Sequence, residues 1–139
     1  RSTLFPYTTL FRSVKLILDA GIDKSGYTGA WIGTGTGEWL MDVENGIIKG
    51  CDRNGGRRGW QLFGISRWTG EDGKKLKKHL EIEFEEKENH NLYWDDVPMF
   101  RHKDEYELQL YPIEKKDIIE IDNFDELVKV DGSYENYRQ

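Results

Sequence analysis

Between positions 27 and 68, hydrophobic and aromatic residues occur in short runs separated by glycine-rich stretches. Runs bounded by turn residues are typical of β-strands, and we predict strands at 27–32, 38–43 and 60–68. Asn45-Gly46 is the strongest turn signal, because both residues tolerate positive φ, and it predicts a hairpin leading into Ile47. The run 60–68 is apolar and β-prone throughout, which predicts a strand buried on both faces, whereas 51–59 is predicted to be an exposed loop.

After position 69 the hydrophobic pattern takes on a helical period. Leu76, Leu80 and Phe84 recur every four residues and predict an amphipathic helix over 70–88. Thr69 is a suitable N-cap for this helix, and Asp72 lies three residues further on, which makes a capping box with the shorter acid.

The last third of the chain predicts two strands and a helix. The runs 106–113 and 117–121 alternate or are β-prone, and they predict strands. Asp122 is predicted to cap the final helix with Asp125 at its third position, and Phe124, Leu127 and Val128 would face inward. Strands before and after a central helix indicate an α/β or α+β domain, and 139 residues suffice for only one such core.

Residues 1–13, RSTLFPYTTLFRS, differ from the rest of the chain. They contain no acidic residue, repeat Thr-Leu-Phe and Arg-Ser, and match one reading frame of a common short-read sequencing adapter. A short hairpin of genuine coding sequence is the alternative. We interpret 1–13 as an adapter-derived segment, set it aside as one would a tag, and expect 14–139 to be part of a domain whose N-terminal portion is missing.

Composition excludes several classes of partner. A formal net charge of −6 and a pI near 5.1 provide no basic surface for nucleic acid. The sequence has neither an apolar stretch of membrane-spanning length nor a secretion signal, so we expect no membrane partner and a cytoplasmic location. Cys51 is the single cysteine, which rules out an internal disulfide and predicts a buried or idle thiol.

Most of the residue types associated with catalysis give weak signals. The glycine-threonine run 33–37 resembles a phosphate loop, but no Lys-Ser/Thr pair or helix follows it, which favours a flexible turn. His79, His90 and His102 show no close ligand spacing, so the sequence predicts no histidine metal site. Tryptophan usually packs in a core, but partly exposed tryptophans facing one cleft can hold a cation. Five are present: Trp31, Trp39, Trp60, Trp68 and Trp94.

The most informative run is Tyr93-Trp94-Asp95-Asp96. Adjacent carboxylates repel one another when both are buried and charged, so such pairs are capping groups, solvated turn residues or ligands of a hard cation such as Mg²⁺. The flanking residues are aromatic and apolar, which is an unfavourable environment for a charge without a role. The run is therefore a candidate metal site.

Four segments of the chain, taken in order, resemble the C-terminal half of bacterial nucleotidyltransferases of the phosphocholine cytidylyltransferase type. These segments are GEWLMDVENG, GWQLFGISRWTGEDGKKL, NLYWDDVPMF and DIIEIDNFDELVKVDGSYENY. The resemblance implies a Rossmann-like α/β domain with a mixed sheet, of which 14–139 would be the acceptor-binding half. The family's glycine-rich loop for CTP and its first Mg²⁺-binding aspartate lie in the N-terminal half, so the resemblance implies a fragment that is inactive alone.

The resemblance also implies a metal site. The family's second metal carboxylate falls in the run 93–96, where Asp96 is the first candidate for Mg²⁺ and catalysis and Asp95 the second.

The remaining implied roles concern the acceptor. The family's aromatic cage for trimethylammonium would use Trp39 with Trp94 or Tyr93. Arg67 occupies a position where some members have tyrosine; it cannot form a cage wall but is suited to pair with the substrate phosphate. We therefore predict that Trp39, Trp94 and Asp96 converge on one cleft.

The implied reaction is attack by the phosphocholine phosphate on the α-phosphorus of CTP, which gives CDP-choline and pyrophosphate. Positioning and charge neutralisation by Mg²⁺ suffice, and no general base is demanded. The implied partners are CTP, phosphocholine and a fused or neighbouring choline kinase. Two alternatives remain open: a sugar-1-phosphate nucleotidyltransferase, whose cleft would favour Asn, Gln and Glu, and a non-catalytic acceptor-binding module.

Overall fold

A mixed sheet of five strands organises the part of the chain that the computed structural model describes, which is residues 18–19, 24–119, 121 and 123–138. The strands are β1 Gly26–Ile32, β2 Leu40–Glu44, β3 Ile47–Asp52, β4 Gly59–Arg67 and β5 Gln109–Pro112. Their order in the sheet is β1-β4-β2-β3-β5, and β5 returns beside β1 so that the sheet closes on itself. The β1–β5 pairing is parallel, whereas the other pairings are antiparallel.

The hairpin predicted from Asn45-Gly46 joins β2 to β3. Asn45 and Gly46 have φ of 51° and 80°, which is the left-handed conformation that these residues tolerate. The adapter-derived segment predicted at 1–13 lies outside the described residues.

The prediction that 60–68 is buried on both faces is wrong. Along β4, Gln61 and Phe63 are buried, Leu62 is half-buried and Gly64 is exposed. A Cβ added at Gly64 would meet no atom within 4 Å, so the strand is uncovered at that position.

The predicted amphipathic helix begins at its predicted cap. Helix α1 spans Gly70–Glu81 and continues as a π-helical turn over Ile82–Glu86. Thr69 Oγ1 accepts a hydrogen bond from Asp72 N at 3.1 Å. The return bond of the capping box is relayed: Thr69 N donates to Ser25 Oγ, and that hydroxyl donates to Asp72 Oδ2. The relay anchors the helix to the residue that precedes β1.

The predicted strand at 117–121 is wrong. A 3₁₀ turn occupies Lys115–Asp117 instead, and a capping box closes it between Glu114 and the buried Asp117. A carboxylate bonded to nearby backbone N–H groups competes with sheet pairing, which explains the difference. The strand predicted over 106–113 is confirmed only for Gln109–Pro112.

The final helix has a different cap from the predicted one. Helix α2 spans Phe124–Val130, and Asn123 Oδ1 accepts from Glu126 N at 3.0 Å. Asp122, the predicted cap, lies outside the described residues. No residue of α2 is buried. Phe124 is exposed, so the prediction that it packs inward is wrong, and Leu127 and Val128 are only half-buried.

The core has two parts. The larger cluster lies around Tyr27, Met41, Met99, Leu108 and Leu110, and the smaller one contains Ala30, Phe63 and Ile113. Among the helices in the described part of the chain, none combines the length and apolar composition needed to span a bilayer.

We expect Gly26→Ala to destabilise the protein. A Cβ at this position would overlap the backbone carbonyl of Gln109, which is its partner in the parallel β1–β5 pairing. Forcing the strands apart should lower the free energy of unfolding by about 1–3 kcal/mol. Gly64→Ala is the matched control, because its Cβ would meet open space. Urea denaturation checks both variants, and equal losses would contradict the role of the close approach.

Candidate functional site

The predicted run 93–96 forms a tight turn that Asp96 closes. Asp96 Oδ2 accepts from Tyr93 N at 2.8 Å, and Asp96 N donates to Tyr93 O at 3.0 Å. The Asp96 residue is 0% exposed. The buried residues Val97, Pro98 and Met99 follow in a π-helical turn over Val97–Arg101, so the carboxylate is set into an apolar surrounding.

Arg53 compensates the charge of Asp96. Its guanidinium Nη2 forms an ion pair with Asp96 Oδ1 and reaches it from the loop that follows β3. Asp96 Oδ1 nevertheless accepts no hydrogen bond of good geometry. This buried oxygen therefore faces a cation and retains unused capacity as a ligand atom.

The same guanidinium lies against aromatic rings. Arg53 Cζ is 4.4 Å from the ring centroid of Phe100 and 5.2 Å from that of Trp39. Trp39 in turn makes edge contacts with Phe100 and Tyr93, at 5.6 and 6.2 Å between centroids. We call Trp39, Tyr93 and Phe100 the Trp39 cluster; it holds a cation beside a buried carboxylate.

Trp94 and Asp95 turn towards a second aromatic group. Trp94 stacks on Tyr27 at 5.9 Å and contacts Trp68 at 6.3 Å. Tyr27 Oη donates to Asp95 Oδ1 at 2.9 Å. Burial raises the pKa of Asp95 to about 6, because the hydrogen bond from Tyr27 offsets only part of the desolvation and the charge of Asp96 adds to it.

The structure brings together some of the sequence-predicted residues. Trp39 and Tyr93 touch, and Arg53 joins them to Asp96. Trp94 instead packs with Tyr27 and Trp68. Of the two partners for Trp39 that the resemblance implies, Trp94 and Tyr93, the structure therefore places Tyr93 beside it.

Arg67 lies at the end of β4, where it pairs with Gly26. Its guanidinium interacts with the Tyr111 hydroxyl, and its Nη1 is buried without a hydrogen-bond acceptor. A buried guanidinium N–H without an acceptor is suited to receive an anionic oxygen.

Sequence reasoning missed Arg53 and Phe100. Arg53 falls in the predicted exposed loop 51–59, together with Arg57 and Arg58, and nothing in the sequence distinguishes it from them. Phe100 follows Asp96 by four residues within the run NLYWDDVPMF. Its closeness to Asp96 in the sequence is a signal that could have identified it as part of the same site. Both depend on contacts between distant segments, which no local pattern encodes.

Arg53 also borders an open cleft of about 830 Å³. The cleft runs between β2, β3 and β4, and its lining includes Trp31, Trp60 and Cys51. Burial raises the pKa of the Cys51 thiol to about 12, which agrees with the idle thiol predicted from the sequence.

Comparison with known proteins supports the resemblance. No family model matches the chain. The chain is 30% identical to the 2-aminoethylphosphonate cytidylyltransferase of Lancefieldella rimae over 112 residues. The aligned region covers 80% of this chain and 45% of that protein. The fold of the chain is similar to that of CTP:phosphocholine cytidylyltransferase from Streptococcus pneumoniae, with a TM-score of 0.67 and 20% sequence identity. The superposed region covers 81% of this chain and 49% of that chain.

These similarities confirm the predicted fold class, an α/β nucleotidyltransferase fold of the Rossmann-like type with a mixed sheet. They also confirm the resemblance to cytidylyltransferases. The chain spans slightly less than half the length of the relatives it matches.

We expect Arg53→Met to destabilise the protein by about 2–3 kcal/mol, because it leaves the fully buried Asp96 charge without its counterion. In the Asp96→Asn background the same substitution should cost at least about 1 kcal/mol less. Urea denaturation of the four proteins in this double-mutant cycle measures the difference. The exposed Arg57, in the same loop, provides the control variant Arg57→Met. Strictly additive losses would show that Arg53 does not compensate Asp96.

Proposed function

We propose that this relative of the cytidylyltransferases is the acceptor-binding part of an enzyme that transfers CMP from CTP to phosphocholine. The supporting observation is the Trp39 cluster, which already holds a cation next to a buried carboxylate. CDP-choline and pyrophosphate would be the products.

In this proposal the trimethylammonium group of phosphocholine replaces the guanidinium of Arg53. A quaternary ammonium has no N–H to donate, so it is bound by ring faces. Trp39, Tyr93 and Phe100 supply the rings, and Asp96 Oδ1, which Arg53 also leaves, becomes available to a metal ion. Tyr93 rather than Trp94 is the second wall, since Trp94 is engaged by Tyr27 and Trp68.

The acceptor phosphate is assigned to Arg67. Its buried Nη1 has no acceptor in the described structure, and a phosphate oxygen would satisfy it. The phosphate and the ammonium group would then be held by different elements, Arg67 at the end of β4 and the Trp39 cluster.

Mg²⁺ is the cofactor in this proposal, and the residues fit it. Mg²⁺ takes oxygen ligands, and Asp96 Oδ1 is a buried carboxylate oxygen that faces a cation and accepts no hydrogen bond of good geometry. Asp95 offers its second oxygen, because Oδ1 already accepts from Tyr27. When bound, Mg²⁺ would neutralise charge on the nucleotide phosphates. Displacement of Arg53 would open both the aromatic rings and Asp96 Oδ1.

The chemistry follows from these positions. A phosphate oxygen of the acceptor attacks the α-phosphorus of CTP, the bond from that phosphorus to the bridging oxygen breaks, and pyrophosphate leaves. The attacking oxygen is already ionised, so positioning matters more than proton transfer. We assign CTP binding to the half of the protein that this chain does not cover. The CTP requirement favours a cytoplasmic location, and a fused or neighbouring choline kinase would supply the acceptor.

A phosphonate with a primary amine is the second candidate acceptor, as the name of the L. rimae relative suggests. Its support is the Arg53–Asp96 ion pair. Asp96 there meets a cation that carries N–H groups, and a primary ammonium carries them too, whereas trimethylammonium does not. A sugar 1-phosphate has less support, since the rings of Trp39 and Phe100 lie against the cation position and Tyr93 packs on Trp39.

Acceptor binding by this chain tests the assignment. We expect phosphocholine to bind with a measurable heat in isothermal titration calorimetry, and Trp39→Leu to weaken binding about tenfold or more through loss of cation–π contact. Trp31→Leu is the matched control, because Trp31 is exposed and contacts Trp60 rather than the Trp39 cluster.

Titration with 2-aminoethylphosphonate and with a sugar 1-phosphate separates the alternatives. Tighter binding of the phosphonate would move the assignment to the second candidate. An unchanged Kd in Trp39→Leu, or preference for the sugar phosphate, would contradict the aromatic site.

The reaction is tested by pyrophosphate release from CTP, Mg²⁺ and phosphocholine. We expect none from the chain alone, because correct positioning of CTP is worth about 7–11 kcal/mol of barrier and its binding residues are assigned elsewhere. Joined to a nucleotide-binding half recovered from the upstream DNA, the protein should turn over, and Asp96→Ala should remove the activity. Release by the chain alone that Asp96→Ala abolishes would contradict the division into halves. Acceptor binding without turnover in the joined protein would favour a non-catalytic module.

A further inference from the structure

Two histidines that are distant in sequence stack against each other. His79 lies on α1 and His102 follows the π-helical turn Val97–Arg101. Their ring centroids are 3.9 Å apart and their planes differ by 11°. The side chains are 7% and 14% exposed, so both rings are largely withdrawn from water.

The outward nitrogen of each ring has a fixed partner. His102 Nε2 lies 3.0 Å from Oε1 of Glu83, a residue that is 2% exposed. A carboxylate can only accept, so His102 Nε2 carries the hydrogen in this contact. His79 Nδ1 lies 2.7 Å from the Tyr106 hydroxyl. Such outer partners orient histidines that bind metals.

The two inward nitrogens face one carboxylate. His79 Nε2 is 3.2 Å from Glu105 Oε2, and His102 Nδ1 is 3.3 Å from Glu105 Oε1. His102 Nε2 is engaged by Glu83, so Nδ1 is the ring nitrogen that faces Glu105, and His79 Nε2 faces the same carboxylate.

We propose that His79 Nε2, His102 Nδ1 and Glu105 bind Zn²⁺ or a chemically similar divalent transition-metal ion. These three residues offer ligand atoms that all lie within 4.8 Å of one another. Tetrahedral zinc with bonds of 2.0–2.1 Å separates its ligands by about 3.3 Å, which matches both nitrogen–oxygen distances. The two rings are nearly parallel, so on binding they would turn out of the stack until both lone pairs point at the ion. Imidazole ligands select such ions over Mg²⁺, so this site is chemically distinct from the one assigned to Asp96.

The surroundings are compatible with a bound ion. The Glu105 side chain is 54% exposed, which leaves a route from solvent and room for a water as fourth ligand. The nearby Lys75 ammonium is paired with Asp72 and donates to the Glu105 carbonyl, so its charge is partly compensated. The ion would join α1 to the segment that follows the turn at 93–96.

The test uses the 139-residue chain with any purification tag removed and apo protein prepared with a chelator. We expect one equivalent of Zn²⁺ to bind with micromolar or tighter Kd in calorimetry. Saturating Zn²⁺ should raise the Tm by about 5 °C. Co²⁺ in place of Zn²⁺ should give the intense visible absorption of a tetrahedral ion.

His102→Gln and Glu105→Gln should each weaken binding about tenfold to a hundredfold. His90→Gln is the matched control, because His90 is exposed and outside the cluster, and it should bind as the original chain does. Circular dichroism establishes that each variant is folded, and Glu105→Gln changes a side chain that is 54% exposed.

Failure of the original chain to bind one equivalent of Zn²⁺ would overturn the proposal, whatever the variants do. Equal binding in His90→Gln and Glu105→Gln would also overturn it, as would loss of binding in His90→Gln alone. Saturation by Mg²⁺ with the affinity of Zn²⁺ would show that carboxylates rather than these histidines bind the ion. None of these results depends on cytidylyltransferase activity.

Discussion

The carboxylate of Asp96 lies in a position that water does not reach, and the surrounding segments supply its polar and cationic partners. One oxygen accepts from Tyr93 N and closes the turn, while the other draws Arg53 in from the loop after β3. Once held there, the guanidinium lies on the rings of Trp39 and Phe100. A single buried charge thus connects three segments that are far apart in sequence, and its removal would free all three.

The same arrangement bears on how the proposed acceptor would bind. Arg53 already occupies the position between the aromatic rings and Asp96, so a cationic ligand gains only the difference between its own contacts and those of Arg53. Arg53 is 44% exposed at its side chain, and water can therefore receive the displaced guanidinium at modest cost. A ligand that also satisfies the buried Nη1 of Arg67 would gain a contact that the free protein lacks.

Local signals in the sequence were sufficient where one residue type determines the backbone. Asn45-Gly46 specifies its hairpin, and Thr69 specifies the start of α1, because both effects act within a few residues. The strand predicted at 117–121 failed because Asp117 bonds to its own turn, which hydrophobicity does not report. Arg53 and the His79–His102 pair were missed for another reason: their partners lie tens of residues away, and only tertiary packing brings them together. The run 93–96 stands out in the sequence because two carboxylates in an apolar segment are locally unusual. The counterion of Asp96, Arg53, carries no such local signal.

Asp96 and His102 lie six residues apart, at opposite ends of the π-helical turn Val97–Arg101, and each is held from a different side. Arg53 holds the N-terminal end against the sheet, while His79 and Glu83 hold the C-terminal end against the helix. An ion bound at His79, His102 and Glu105 would fix the second end more rigidly without touching the Trp39 cluster. Since Phe100 lies between these two ends and forms one wall of that cluster, such an ion would limit how far the wall moves if a ligand displaced Arg53.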